Sequence, residues 1–155
     1  YVGLVLGRPP AKGIIDQPMM EHPVKKGTMV IHSKGKNALT SYEVLTYYKS
    51  YAWVSFQIHT GRTHQIRLHS QHIGHPIVAD EVYGDGQKLF LSSIKKKNYK
   101  LSKLTEEEKP LLARQALHAH SLTFLYKQKE LHIEAPISKD LLATLQQLDK
   151  WNNTK

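Results

Sequence analysis

A chain of 155 residues is long enough for one hydrophobic core and short for two domains. It contains no cysteine, which removes disulfides and thiolate chemistry and favours a cytoplasmic setting. Its 22 Lys and Arg against 13 Asp and Glu leave a net charge of +9, a surplus that points to an anionic partner such as RNA, and no apolar run approaches the roughly 20 residues needed to span a bilayer.

In chain order, the first strands are expected over Tyr1 to Gly7, Gly13 to Met19, Ala38 to Tyr48 and Ala52 to His59. In the last of these Val54, Phe56 and Ile58 alternate with Trp53, Ser55, Gln57 and His59, and Lys49 to Tyr51 turn it back against its predecessor. Thr60-Gly61 ends that strand. A short helix is expected after Thr63, whose hydroxyl is a good N-cap, and Gly74 followed by Pro76 stops it. A further helix is expected at Gln87 to Ile94, followed by the densest cationic cluster, Lys95, Lys96, Lys97, Lys100 and Lys103. That cluster reads either as an insertion contacting an RNA backbone or as a solvated loop, with Glu106, Glu107 and Glu108 close enough in sequence to neutralise it.

Strands are again expected over Ala116 to Tyr126 and Glu130 to Ala135, joined by a turn at Lys127 to Lys129. Leu141, Leu142, Leu145, Leu148 and Trp151 then recur at helical spacing behind Ser138, a capable N-cap, and make a terminal helix over an apolar face. The fold class is α+β: a mixed, mainly antiparallel sheet with a few helices packed on it. No repeat and no second domain is visible, so residues 1–155 read as part of a single domain.

On the motif helix Ile66 and Ile73 share one face, and Arg67 stands beside that stripe at the edge of the protein. By spacing alone it reads as a surface arginine of an amphipathic helix; drawn inward, it requires an anionic partner. His64, His69, His72, His75, His118 and His120 invite a metal-site reading. Their spacing argues against it, because a helical zinc pair sits at i and i+4 with a glutamate between, and no acidic residue lies among these histidines.

The run T-G-R-T-H-Q-I-R-L-H-S-Q-H-I-G-H-P-I-V-A-D-E-V-Y-G from Thr60 to Gly84 resembles the motif of the RluA-type RNA pseudouridine synthases. Gly61, Arg62, Thr63, His64, Gln65, Ile66, Arg67, Gly74, His75, Pro76, Ile77, Asp80 and Tyr83 match it. Weaker echoes lie at Tyr1 to Gly7, Gly13 to Pro18, Lys36 to Leu45 and Leu117 to Ala119, so the resemblance spans nearly the whole chain.

This resemblance implies isomerisation of uridine to pseudouridine in structured RNA, ribosomal or transfer, without cofactor and without metal. It implies that Arg67 neutralises a nucleophilic aspartate, that Tyr1 stands beside the flipped base as a general base, and that Leu117 and Ile77 line the uracil pocket, although apolar strand residues are more often core. Arg62 and His64 either contact RNA phosphate or hydrogen-bond the strand end, and Gln65 and His75 fix backbone groups of the helix and its exit. The family's nucleophile lies in an H-R-L-D segment, which these residues do not contain. With Tyr1 opening directly into an alternating apolar segment, the expectation is the C-terminal part of a longer enzyme, inactive by itself. At such a position fraying is expected to loosen the Tyr1 ring. The alternative is a non-catalytic RNA-binding module, which fits the charge and the missing nucleophile.

Overall fold

The computed structural model describes residues 1–95 and 107–153. Strands β1 (Val2–Leu6), β2 (Lys12–Asp16), β5 (Leu39–Tyr47), β6 (Tyr51–Ile58) and β7 (Leu117–His118) form one sheet in the order β2-β5-β6-β1-β7, every neighbouring pair antiparallel. Two separate hairpins, β3 (Met19–Glu21) with β4 (Met29–Ile31) and β8 (Ser121–Tyr126) with β9 (Lys129–Glu134), complete the strands. Helix α1 (Gln65–His72) follows β6, α2 (Leu91–Lys95) is one short turn, and α3 (Lys139–Trp151) closes the described chain. No helix among the described residues is long and apolar enough to cross a membrane.

The central hairpin pairs Tyr42 with Phe56 and Val44 with Val54, as alternation in both segments requires, and slips by one residue at Leu45. Leu45 is left exposed there while Trp53 and Ala52 stay in the core. Tyr1 does not fray. Its backbone N–H donates to the Phe56 carbonyl at 2.9 Å and its carbonyl accepts from the Phe56 N–H at 2.8 Å, so it prolongs the β1 ladder. The opposite edge of β1 takes the segment leaving α1: Leu6 N–H donates to Pro76 and Val78 N–H to Leu4, each at 2.9 Å.

Several expected boundaries shift, each for a local reason. The single strand expected over Gly13 to Met19 is two, because Pro18 has no N–H to continue a ladder and the chain turns there toward β4, an element the sequence reading missed. The strand expected from Ala116 splits after His118: β7 stays with β1, and β8 leaves to pair with β9. At the split His120 and Ala135 exchange hydrogen bonds, Ala135 N–H to His120 O at 2.7 Å and the His120 ring to Ala135 O at 2.9 Å. Residues 87–90 are not helical, since Leu89 is bridged to Leu112 and the chain is extended until Leu91. Of the cationic cluster, Lys95 packs its ammonium 4.4 Å from the Trp151 ring centroid, and Lys96, Lys97, Lys100 and Lys103 lie outside the described residues.

The start of α1 differs from the expected Thr63 cap. His64 occupies the N-cap in a left-handed conformation, φ 56°, and Thr63 is exposed. No side chain caps the helix; the Gln65 side chain instead ties down the turn before it, its Oε1 accepting from Arg62 N–H at 3.0 Å and from the Thr60 hydroxyl at 2.7 Å. Its amide donates to Leu39 O at 3.0 Å and to Thr40 Oγ1 at 2.9 Å. All the hydrogen-bonding capacity of this buried amide is therefore used. The far end of α1 is stopped as expected, with Gly74 at φ 80° donating to Gln71 O at 2.9 Å and His75 N–H donating to Ser70 O at 2.9 Å.

Helix α3 buries Leu141 and Leu148 completely, each contributing about 2 kcal/mol relative to exposure, and its last turn is tied to the β5–β6 turn by Tyr48 Oη to Asp149 at 2.8 Å. Ser138 is its N-cap by position, but its hydroxyl accepts from Arg114 at 2.8 Å, not from the helix.

Replacing Gln65 by Leu keeps the volume and leaves buried donors and acceptors on Leu39, Thr40, Thr60 and Arg62 without their partner. Urea unfolding of this variant is expected to show a loss of about 3 kcal/mol. A loss below about 1 kcal/mol would mean that solvent replaces these bonds freely.

Candidate active site

The strand-to-helix turn after β6 and the first turn of α1 place five motif residues, Arg62, His64, Gln65, Ile66 and Arg67, on one cleft. Tyr1, Ile58, Arg62, His64, Arg67 and Leu117 are among the residues lining a cavity of about 280 Å³ between the end of β6, the start of α1 and β7. Five of the six residues assigned to the site from sequence thus share one wall system. The sixth, Ile77, does not: it is fully buried, bridged to Val5 at the edge of β1, and is a core residue. Its apolar side chain fills the angle between β1 and the exit of α1, which alternation along a strand could not distinguish from a pocket wall.

Arg67 points inward and is paired. Its Nε donates to Asp80 Oδ2 at 2.6 Å and its Nη2 to Asp80 Oδ1 at 2.8 Å, a bidentate contact in which Arg67 keeps 11% side-chain exposure and Asp80 none. Asp80 Oδ1 also accepts the backbone N–H of Val82 at 2.9 Å and of Tyr83 at 3.0 Å. Burial alone raises the Asp80 pKa, but the hydrogen bonds from Arg67 and from these two amides outweigh it and hold the carboxyl below its ordinary value. With hydrogen bonds on both oxygens and no exposure, Asp80 is the buried counter-ion of Arg67.

The pair consumes two of the five guanidinium N–H groups, and no other hydrogen-bond partner of Arg67 occurs among the described residues. Arg67 borders two cavities, the one shared with Tyr1 and Leu117 and another shared with Ala79 and Arg114. The Tyr83 ring lies under the guanidinium, 4.9 Å from centroid to Cζ.

Tyr83 also fixes His64. Its hydroxyl accepts the Met29 N–H at 2.8 Å and lies 2.8 Å from His64 Nδ1. Where the hydroxyl donates to Nδ1, the neutral imidazole carries its N–H on Nε2. Burial, and next the charge of Arg67, lower the His64 pKa and keep it in that form. Arg62 is turned toward the loop before β5, its Nε donating to Asn37 O at 2.9 Å.

His69 and His75 are structural. His69 is fully buried, and its Nε2 donates to Gln17 O at 3.0 Å, so Nδ1 must accept the Thr40 hydroxyl proton at 2.9 Å. Burial lowers its pKa, consistent with a neutral ring. His75 donates from Nδ1 to Leu6 O at 2.9 Å, binding the helix exit to β1 as expected for a backbone-fixing residue. Among the described residues no group of three or more His, Cys, Asp or Glu is placed to hold a metal ion. Tyr83 is the residue whose role the sequence reading missed; its signal was its position three residues after Asp80 in the motif.

Comparison with known proteins places this geometry in context. Residues 1–72 match the family model of RNA pseudouridylate synthases. The chain is 32% identical over 155 residues to ribosomal large subunit pseudouridine synthase D of Escherichia coli strain K12, an alignment covering 94% of this chain and 43% of that relative. It is 36% identical over 152 residues to the protein of the same name from Buchnera aphidicola, covering 97% and 46% respectively. The solved structure of human RNA pseudouridylate synthase domain containing 4 superposes with a TM-score of 0.69 at 28% identity, covering 96% of this chain and 61% of that one. That of human RNA pseudouridylate synthase domain containing 1 gives 0.64 at 25% identity, covering 88% and 53%. The chain thus spans less than half the length of these two curated relatives.

Asp80→Asn keeps the shape of the pair and removes its charge, stranding Arg67 in a site of low exposure, so a loss of about 3 kcal/mol is expected in urea unfolding at neutral pH. Because the folded pKa of Asp80 is depressed, its contribution is complete above the unfolded carboxylate value of roughly 4 and is lost as pH falls through the lower folded value. Acid titration should therefore narrow the gap between wild type and Asp80→Asn; a gap constant with pH would assign the loss to packing.

Proposed function

We propose that this chain, which belongs to the RluA-type family of RNA pseudouridylate synthases, is the C-terminal portion of one catalytic domain that isomerises uridine to pseudouridine in structured RNA. The observation that carries this reading is the half-used guanidinium of Arg67. It is locked in place by Asp80 through Nε and Nη2, its Nη1 has no hydrogen-bond partner among the described residues, and Arg67 lines a cavity that Tyr1 also lines.

The reaction cuts the bond between C1′ and the uracil nitrogen, turns the base without releasing it, and rejoins it through carbon. It needs an ionised carboxylate at the ribose, a flat surface against the extruded base and a fixed cation beside the carboxylate. In this reading the free edge of Arg67 receives the aspartate of the family's H-R-L-D segment, lowering its pKa and orienting it. Tyr1 stands beside the base as the family's general base, and Leu117 supplies an apolar wall for the uracil. His64 offers its Nε2–H to the ribose or to a phosphate, and Arg62 binds the backbone. The curated relatives are named for the large ribosomal subunit, so ribosomal RNA is the substrate class we assign.

The 155 residues contain no H-R-L-D, and for them in isolation the second reading, an RNA-binding module without turnover, describes what they do. Arg67 and Tyr1 position and neutralise; neither replaces an attacking carboxylate.

Carbodiimide-based detection on ribosomal RNA is expected to find no pseudouridine above a no-protein control for the 155-residue chain. Turnover there would transfer the nucleophile to another carboxylate of this sequence. In a polypeptide that carries an H-R-L-D segment ahead of this chain, Arg67→Ala should lower kcat by at least ~100-fold. Near-normal kcat would remove Arg67 from the chemistry and leave it as the partner of Asp80.

A further inference from the structure

A larger groove, about 670 Å³, opens beside the candidate site, between the β3–β4 hairpin and the strand-to-helix turn. Lys34, Lys36 and Arg62 line it, and Arg62 also lines the cavity shared by Tyr1 and Arg67, so that side chain borders both depressions. The one carboxylate on the groove, Glu21, is already engaged by the Gly27 N–H at 3.0 Å. Lys34 and Lys36 have no carboxylate partner among the described residues. Arg62 spends only its Nε, on a neutral carbonyl.

This cationic wall is built and not a loose loop. Lys36 exchanges backbone hydrogen bonds with Met19, N–H to O at 2.9 Å and O from N–H at 3.0 Å, and Gly35 folds on His32 O at 2.8 Å. A Cβ at Gly35 would meet the Met19 carbonyl carbon at 2.5 Å, so the backbone between the two lysines is pressed against β3 in a way only glycine permits. The opposite side of the groove is tied to the candidate site through the hydrogen bond from Met29 N–H to Tyr83 Oη. Two unpaired ammonium groups on a fixed backbone, sharing a groove with an arginine that borders the site, suit a row of phosphates.

We propose that the groove between the β3–β4 hairpin and the α1 turn holds the sugar-phosphate backbone flanking the target nucleotide, with Lys34, Lys36 and Arg62 as its phosphate contacts. The proposal rests on the RNA substrate assigned above and specifies the path of the strand outside the pocket. It makes these contacts independent of base identity, and it makes Arg62 the point at which the backbone passes from groove to pocket.

The test uses the 155-residue chain and a fluorescein-labelled RNA stem-loop, with anisotropy read across a series of salt concentrations. Each phosphate contact contributes ~0.7–0.9 to the slope of log affinity against log salt, so Lys34→Ala/Lys36→Ala should reduce the slope by roughly 1.5 and weaken binding at low salt by about tenfold or more. Lys127→Ala/Lys129→Ala, at the tip of the distant β8–β9 hairpin, removes the same charge and should leave the slope within about 0.3 of wild type. All four lysines are exposed, so both variants should retain the wild-type circular dichroism. Equal losses in the two variants would overturn the groove while leaving the RNA substrate standing. Failure of the wild-type chain to bind the stem-loop at low salt would overturn both.

Discussion

The ion pair between Arg67 and Asp80 is the constraint on which the arrangement of the cleft depends. One partner sits on the second turn-forming segment of the motif, the other on the first helix, and neither tolerates burial without the other. The pair fixes more than two side chains. Asp80 gathers the Val82 and Tyr83 amides, which sets the turn from which the Tyr83 ring projects beneath the guanidinium. Tyr83 then passes order outward, to His64 through one hydrogen bond and to the β3–β4 hairpin through another. A single charge pair thereby coordinates the pocket, the helix start and the neighbouring groove.

A neutral relay supports it from the other side of α1. Gln65 donates to the Thr40 hydroxyl, the hydroxyl donates to His69, and His69 donates to the carbonyl of Gln17. The direction of each bond follows from the carbonyl at its end, which can only accept. The relay joins α1 to β5 and to the segment before β3 without placing a charge in the interior. Electrostatic demand is confined to the cleft side of the helix, where Arg67 faces an opening.

Much of this was legible in the sequence because it rests on local rules. Alternation marked β5 and β6, Gly74 and Pro76 marked the end of α1, Lys127 to Lys129 marked the last hairpin turn, and leucine spacing marked α3. The motif identified the family, and several of its residues line one cavity. What escaped was long-range. That Arg67 would require an anion if drawn inward followed from its place beside the apolar stripe, but that it is drawn inward, and onto Asp80, depends on how the chain folds back after Pro76. The expected cap at Thr63 does not form because the turn before α1 is held by Gln65, whose other bonds reach β5, and Ile77 went to the core because β1 has a second edge to cover. The β3–β4 hairpin was missed because strands of three residues give no period to detect.

The β8–β9 hairpin has a different character from the rest of the protein. Leu122, Phe124 and Tyr126 lie opposite Ile133, Leu131 and Lys129 on one face of a ribbon with which no third strand pairs among the described residues, and its large apolar residues are exposed. A two-stranded ribbon is weakly stable by itself, and this one is attached at its base through His120 and Ala135. Leu122 and Thr123 form one bank of a cleft whose other bank includes Tyr1 and Gln57. Tyr1 therefore stands between two walls. On one side is the clamped guanidinium of Arg67, held by a buried charge pair; on the other is a ribbon held to the main sheet by contacts at its root, so the two walls beside Tyr1 are fixed by different means.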